Sequence, residues 1–165
     1  MHEVGELYDR NEFFLPELLL SAEAMQAGAS AIAPYLKHES GASARETAVI
    51  GVVEGDVHDI GKNLVAMMLE VEGYVVVDLG HNVPAKRFFE EAEERNARVV
   101  GLSTMMTTTL PFMRDTIKLV RTMESNPLII VGGAPLSEAL ARELGADGYG
   151  ENAAKAPELV ESLIK

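Results

Sequence analysis

The residues best suited to chemistry lie in one stretch, Glu54-Gly55-Asp56-Val57-His58-Asp59-Ile60-Gly61-Lys62-Asn63. It joins an apolar run that reads as a buried strand (47–53) to an amphipathic run that reads as a helix (62–72). In a parallel α/β sheet such a turn lies at the carboxyl edge, where ligands bind. His58 suits metal ligation. A neutral imidazole binds through one nitrogen while the other donates to a carboxylate that fixes tautomer and basicity, and Asp56 stands two residues away for that second task. No second protein ligand is evident nearby: Asp59 is the candidate within the loop, and His81 belongs to another loop. One protein ligand seldom holds a bare ion, whereas a metal carried inside a macrocycle needs only one.

The elements that must position this loop follow from the hydropathy pattern. Strand-like runs at 47–53, 74–79, 98–103, 127–132 and about 147–149 alternate with helical runs near 62–72, 84–95, 110–124, 136–144 and 152–164. Strands that are apolar almost throughout imply a parallel sheet covered on both faces. Right-handed crossovers then favour a doubly wound, flavodoxin-like α/β domain of order 2-1-3-4-5. Strands 1 and 3 meet at its switch point, so three loops should converge. These are the Asp56/His58 loop, the hydroxyl-rich Ser103-Thr104-Met105-Met106-Thr107-Thr108-Thr109, and Gly132-Gly133-Ala134-Pro135. Gly51, Gly101, Gly132 and Gly133 fall on or beside central strands, where tight helix packing or a slot for a flat group would call for them.

Upstream, residues 1–12 are short and polar, with Leu7 and Tyr8 the large apolar pair. A helix opens at Leu15-Pro16, with Leu18, Leu19, Ala22, Met25, Ala29, Ile32, Ala33 and Leu36 marking one buried face. With nothing of its own class to pack on within the N-terminal segment, it must lie against the following domain, a second chain, or helices outside this sequence. The organisation expected is therefore a partial helical cap (1–38), a linker (39–46) and an α/β domain (47–165). The chain is acidic, with a formal charge of −12. That argues against nucleic acid and against an anionic membrane surface. It has no cysteine, which removes disulfides and thiolate chemistry and is compatible with a reducing cytoplasm. A receiver domain would want paired acids after strand 1 and a late lysine, a flavin site a Ser/Thr-rich first loop; neither is present. A Gly-x-Gly-x-x-Gly or P-loop pattern is absent as well.

Asp-x-His-x-x-Gly (Asp56, His58, Gly61), followed by a hydroxyl-rich third loop and a Gly-Gly fourth loop, resembles the cobalamin-binding signature. DVHDIGKN, the VDLG-x-x-VP run at 77–84 and GLS at 101–103 are similar to cobalamin-dependent methionine synthase and the small corrinoid proteins of methyltransferase systems. The resemblance implies that His58 replaces the cofactor's own base as the axial ligand to cobalt (base-off/His-on). It implies that Asp56 bonds that imidazole, and that Thr109, a serine in methionine synthase, completes a relay. Thr109 also precedes a helix, where it suits an N-cap. By the same resemblance Val57, Asp59, Ile60, Gly61, Met105, Ser103, Thr107, Gly132 and Gly133 contact the cofactor, the last four lining a slot for its displaced nucleotide tail.

Leu7-Tyr8, Phe13-Phe14-Leu15-Pro16-Glu17 and the Ala-rich helix resemble the cap of methyl-transferring corrinoid proteins, with Tyr8 and Leu15 on its contact positions. The family's cap is a four-helix bundle of which about half is legible, so a homodimer pairing the 13–36 helices is expected. The resemblance implies methylcobalamin or a related corrinoid as cofactor, and a methyl carrier that does not turn over alone. Its expected partners are a substrate-specific methyltransferase, an acceptor methyltransferase using a thiol or folate, and a reductive activator. The alternatives are a subunit of an adenosylcobalamin-dependent mutase, which would need no cap, and a cobalamin-based sensor, which would be fused to a signalling segment.

Overall fold

Five strands, β1 (Thr47–Val52), β2 (Val75–Asp78), β3 (Val99–Ser103), β4 (Leu128–Gly132) and β5 (Gly148–Gly150), pair in parallel in the order β2-β1-β3-β4-β5. The computed structural model describes residues 2–32 and 46–164. The expected linker 39–46 (save Glu46), the 33–38 end of the cap segment and Lys165 lie outside them. Alternate strand residues serve opposite faces. Val49, Val100, Leu102, Ile129 and Val131 pack with Phe88, Met113 and Ile117 on one side, and Ala48, Ile50, Val99 and Ile130 with Leu69 and Val160 on the other. The first layer is built by α4 (Ala85–Glu94), α5 (Leu110–Val120) and α6 (Glu138–Leu144), the second by α3 (Ile60–Val71) and α7 (Ala156–Ile164).

Register sets the site. Val52 pairs with Ser103, and Ser103 with Gly132, so β1, β3 and β4 release their loops side by side. Gly51 serves packing, for a Cβ there would lie 2.8 Å from the Phe88 ring. The last helix begins at Ala156 rather than 152, because Glu151–Lys155 form bends and turns where the sheet edge ends.

The N-terminal reading needs two corrections. Residues read as short and polar form a helix, α1 (His2–Asp9), which packs against α2 (Leu15–Ile32), so that helix does have a helical neighbour. Val4, Leu7 and Tyr8 stand at helical spacing, but eight residues are too short a run for that spacing to mark a helix by itself. Helix α2 starts as expected: Pro16 sits in its first turn, and the Glu17 carboxylate accepts from Phe14 N at 3.0 Å, stabilising the entry. It also packs on α3. Leu18 and Ala22 are buried, but Met25, expected on the same face, is exposed. No helix among the described residues is long and apolar enough to cross a membrane.

Candidate functional site: the Asp56–His58 edge

Past β1 the chain turns sharply. Val53 N donates to Ser103 O (3.1 Å), and Asp56 N donates back to Val53 O (3.2 Å). Gly55 takes a positive φ of 84° to make the turn. A brace arrives from the loop after β2: Asn82, itself left-handed at φ 53°, accepts from Gly55 N at 2.8 Å and donates its own N–H to Asp56 O at 2.9 Å. The backbone on both sides of Asp56 is thereby held.

Asp56 is wholly buried and accepts four hydrogen bonds. Its Oδ1 receives His58 N (3.0 Å) and the His58 ring at Nδ1 (2.7 Å). Its Oδ2 receives the Thr104 hydroxyl (2.9 Å) and Met105 N (2.6 Å). Burial alone would raise its pKa. The Met105 and His58 amides, the imidazole and the Thr104 hydroxyl more than reverse that, holding the carboxyl well below the usual carboxylate range. An ionised Asp56 facing Nδ1 selects the tautomer that carries its proton there, so in the neutral imidazole Nε2 is the lone-pair nitrogen. The ring is 53% exposed, so that lone pair is open to a ligand. Val57 and Ile60 in the same loop, and Met105 on the third loop beside His58, are exposed apolar side chains.

Beside this edge runs a cavity of about 260 Å³ between α3 and the ends of β3 and β4. His58, Gly61, Ser103, Met105, Gly132 and Gly133 line it, together with Lys62. Gly101 forms part of its wall, and a Cβ there would meet Ile50 Cγ2 at 2.9 Å. Lys62 is buried and its ammonium pairs with Asp78 at the end of β2. Not every anticipated residue converges here. Thr107 is exposed in a 3₁₀ turn, Thr107–Thr109, away from the cavity. Thr109 is buried, but its hydroxyl caps no helix amide: it donates to Met106 O (2.8 Å) and contacts the Thr104 hydroxyl. Asp59 carries no cap bond either and lies 3.7 Å from His81 Nδ1. Tyr8 and Leu15 line a separate groove with Phe13 and Phe14, which meets the cavity through Glu151 and Asn152.

The B12 binding domain family matches residues 46–158, and a second B12 binding domain family matches residues 1–32. The chain belongs to the cobalamin-binding corrinoid proteins. It is 45% identical to "Dimethylamine corrinoid protein 1" of Methanosarcina acetivorans, over 99% of this chain and 78% of that one. A cobalamin-binding protein from Desulfitobacterium hafniense superposes with a TM-score of 0.87 at 34% identity, covering 99% of this chain and 78% of that one. The methanol:cobalamin methyltransferase complex MtaBC from Methanosarcina barkeri gives 0.72 at 36% identity, over 96% of this chain and 61% of that one.

The residues present fit the corrinoid. Among the described residues no group of three or more His, Asp or Glu side chains is arranged to hold a metal by itself. A corrin supplies its own equatorial nitrogens and needs from this corrinoid protein one axial donor, an apolar bed and a slot. The free Nε2, the Val57/Ile60/Met105 surface and the glycine-walled cavity have those three characters. Sequence reasoning did not single out Thr104, Asn82 or Lys62. A hydroxyl-rich loop signalled Thr104, but nothing in composition tells which of its hydroxyls turns inward.

Proposed function

We propose that this corrinoid protein holds cobalamin base-off/His-on, with His58 Nε2 as the axial ligand, and carries a methyl group between a substrate-specific methyltransferase and an acceptor that uses a thiol or folate. The observation that carries the reading is Asp56, buried and 2.7 Å from His58 Nδ1, which turns Nε2 of the neutral ring outward as the donor nitrogen. When bound, the cofactor supplies a cobalt centre able to accept and give up a methyl group. The chain's own residues do the rest. Asp56 retains the Nδ1 proton and raises the basicity of Nε2. Gly61, Ser103, Gly132 and Gly133 leave room for the nucleotide tail in the cavity. Val57, Ile60 and Met105 exclude water beneath the ring. Tyr8, Leu15 and their groove cover the other face.

Turnover on this reading takes place with partner enzymes rather than on the carrier alone. A methylamine-type methyltransferase is favoured by the dimethylamine corrinoid relative, and a stable complex with it by the architecture named for the methanol system. A reductive activator and a cytoplasmic setting complete the proposal. Leu20 and Met25, exposed on α2, support pairing of two copies through that helix; a monomer by light scattering, with and without cofactor, refutes the pairing. The match of residues 1–32 to a B12 binding domain favours the capped carrier over an uncapped mutase subunit.

The test is the absorption spectrum of the protein loaded with methylcobalamin. His58→Ala should convert the His-on spectrum to the base-off form and weaken binding about 10–100-fold, the range for disturbed ligation. An unchanged spectrum removes His58 from the cobalt.

A further inference from the structure

What fixes the axial imidazole extends one residue further than the expected His–Asp–Thr109 relay, and the following rests on the reading of His58 just given. Among the described residues Thr109 makes no bond to Asp56. Thr104 stands between them: its hydroxyl is 2.9 Å from Asp56 Oδ2 and in hydrogen-bond contact with the Thr109 hydroxyl. A threonine hydroxyl has one proton to give. The carboxylate can only accept, so Thr104 gives its proton to Asp56. In the Thr104–Thr109 contact Thr104 is then the acceptor and Thr109 the donor. The Thr109 proton has a second acceptor, Met106 O at 2.8 Å, so it can turn to either. When the Thr109 proton turns to Thr104, every donor in the row points toward Asp56, and Nδ1 of His58 closes it from the other side.

The placement of Thr104 is built rather than incidental. It is wholly buried. Its N–H donates to Gly132 O at 3.1 Å. Gly133, at φ 132°, approaches so closely that a Cβ there would fall 1.7 Å from Thr104 O. The third and fourth loops are thus locked together at the residue whose hydroxyl enters the row. Met106 N and O lie at 3.4 and 3.3 Å from that hydroxyl, longer than its contact with Asp56, so the local turn does not account for its orientation.

We propose that Thr104 is a positioning residue for His58: the hydroxyl through which Thr109 and the third loop act on Asp56, and so on the axial imidazole. Thr109 then has no independent effect on His58.

The test is a double-mutant cycle on Thr104→Val, Thr109→Val and the pair, with Thr104→Ser as the conservative control. Two readouts apply: methylcobalamin affinity with its His-on fraction, and the ¹⁵N signals of the His58 ring in the unloaded protein at a pH above the imidazole's titration. Thr104→Val should lower affinity roughly tenfold, the lower end for partners of metal ligands, and shift the Nδ1 signal; Thr104→Ser should restore both. Thr109→Val should cost less, and nothing further once Thr104 is Val, since a residue acting wholly through another loses its effect with it. Additive losses, an unmoved Nδ1 signal in Thr104→Val, or failure of Thr104→Ser to restore it would each overturn the proposal. Thr104→Ala takes the valine's place in the cycle if the valine variant does not fold. His58→Ala run alongside separates the two readings. If it leaves the loaded spectrum unchanged, the axial role itself fails; if it alters the spectrum while Thr104→Val does not, only Thr104 is overturned.

Discussion

Gly133→Ala places a new Cβ 1.7 Å from Thr104 O, 2.8 Å from Thr104 C and 3.2 Å from Thr104 N. All three atoms are backbone, so no side chain can swing away. The loops must separate by more than an ångström, breaking the 3.1 Å bond from Thr104 N to Gly132 O. Alanine must also accept a φ near 132° or abandon it. Strain of about 1–3 kcal/mol for that backbone, with overpacking of similar size, gives a loss of about 2–6 kcal/mol. Against a typical total of about 5–15 kcal/mol that is severe, and it should lower Tm by roughly 10 °C or more. Thermal and denaturant unfolding of the unloaded protein measure it directly. Gly61→Ala is the control: nothing lies within 4 Å of its Cβ, and helix propensity predicts a gain of up to about 1 kcal/mol. Cobalamin affinity should nevertheless fall in that variant, since Gly61 lines the cavity. If Gly133→Ala unfolds within about 1 kcal/mol of the parent, the claim that the third and fourth loops are locked at Thr104 is wrong.

Further outcomes follow from the buried charges. The Asp56 carboxyl is held below its unfolded value of about 3.9, so its contribution is present above that value and is lost as pH falls from about 5 downward. Asp56→Asn should be less stable at neutral pH and show a flatter acid limb; equal acid limbs in urea titrations at stepped pH would refute this. The Lys62–Asp78 pair is asymmetric, its side chains 3% and 40% exposed. Lys62→Met leaves behind a carboxylate that water can reach and should cost about 1 kcal/mol or less. Asp78→Ala strands a buried ammonium and should cost about 3 kcal/mol. The order of the two unfolding midpoints decides, and equal losses would contradict the burial argument.

Much of this was legible in the residue order. Apolar runs almost unbroken through 47–53, 98–103 and 127–132 demanded a parallel sheet covered on both faces, and chain connectivity then left few topologies. Asp-x-His in the first crossover carried its own chemistry, because a carboxylate two residues from an imidazole can reach Nδ1 through a local turn. Local patterning did not disclose α1, whose eight residues are too short a run to read as a helix, nor the exposure of Met25, which depends on tertiary packing.

The sequence by itself determined the fold class and the pairing of His58 with Asp56, since these rest on the hydropathy pattern and on contacts between near neighbours. Only the tertiary structure decided which hydroxyl meets Asp56. Thr104 and Thr109 are chemically alike and five residues apart, and choosing between them required the register of β1, β3 and β4 and the approach of Gly133 from the fourth loop. A hydrogen bond between residues 48 positions apart is set by the geometry of the sheet edge, which no local stretch of sequence contains.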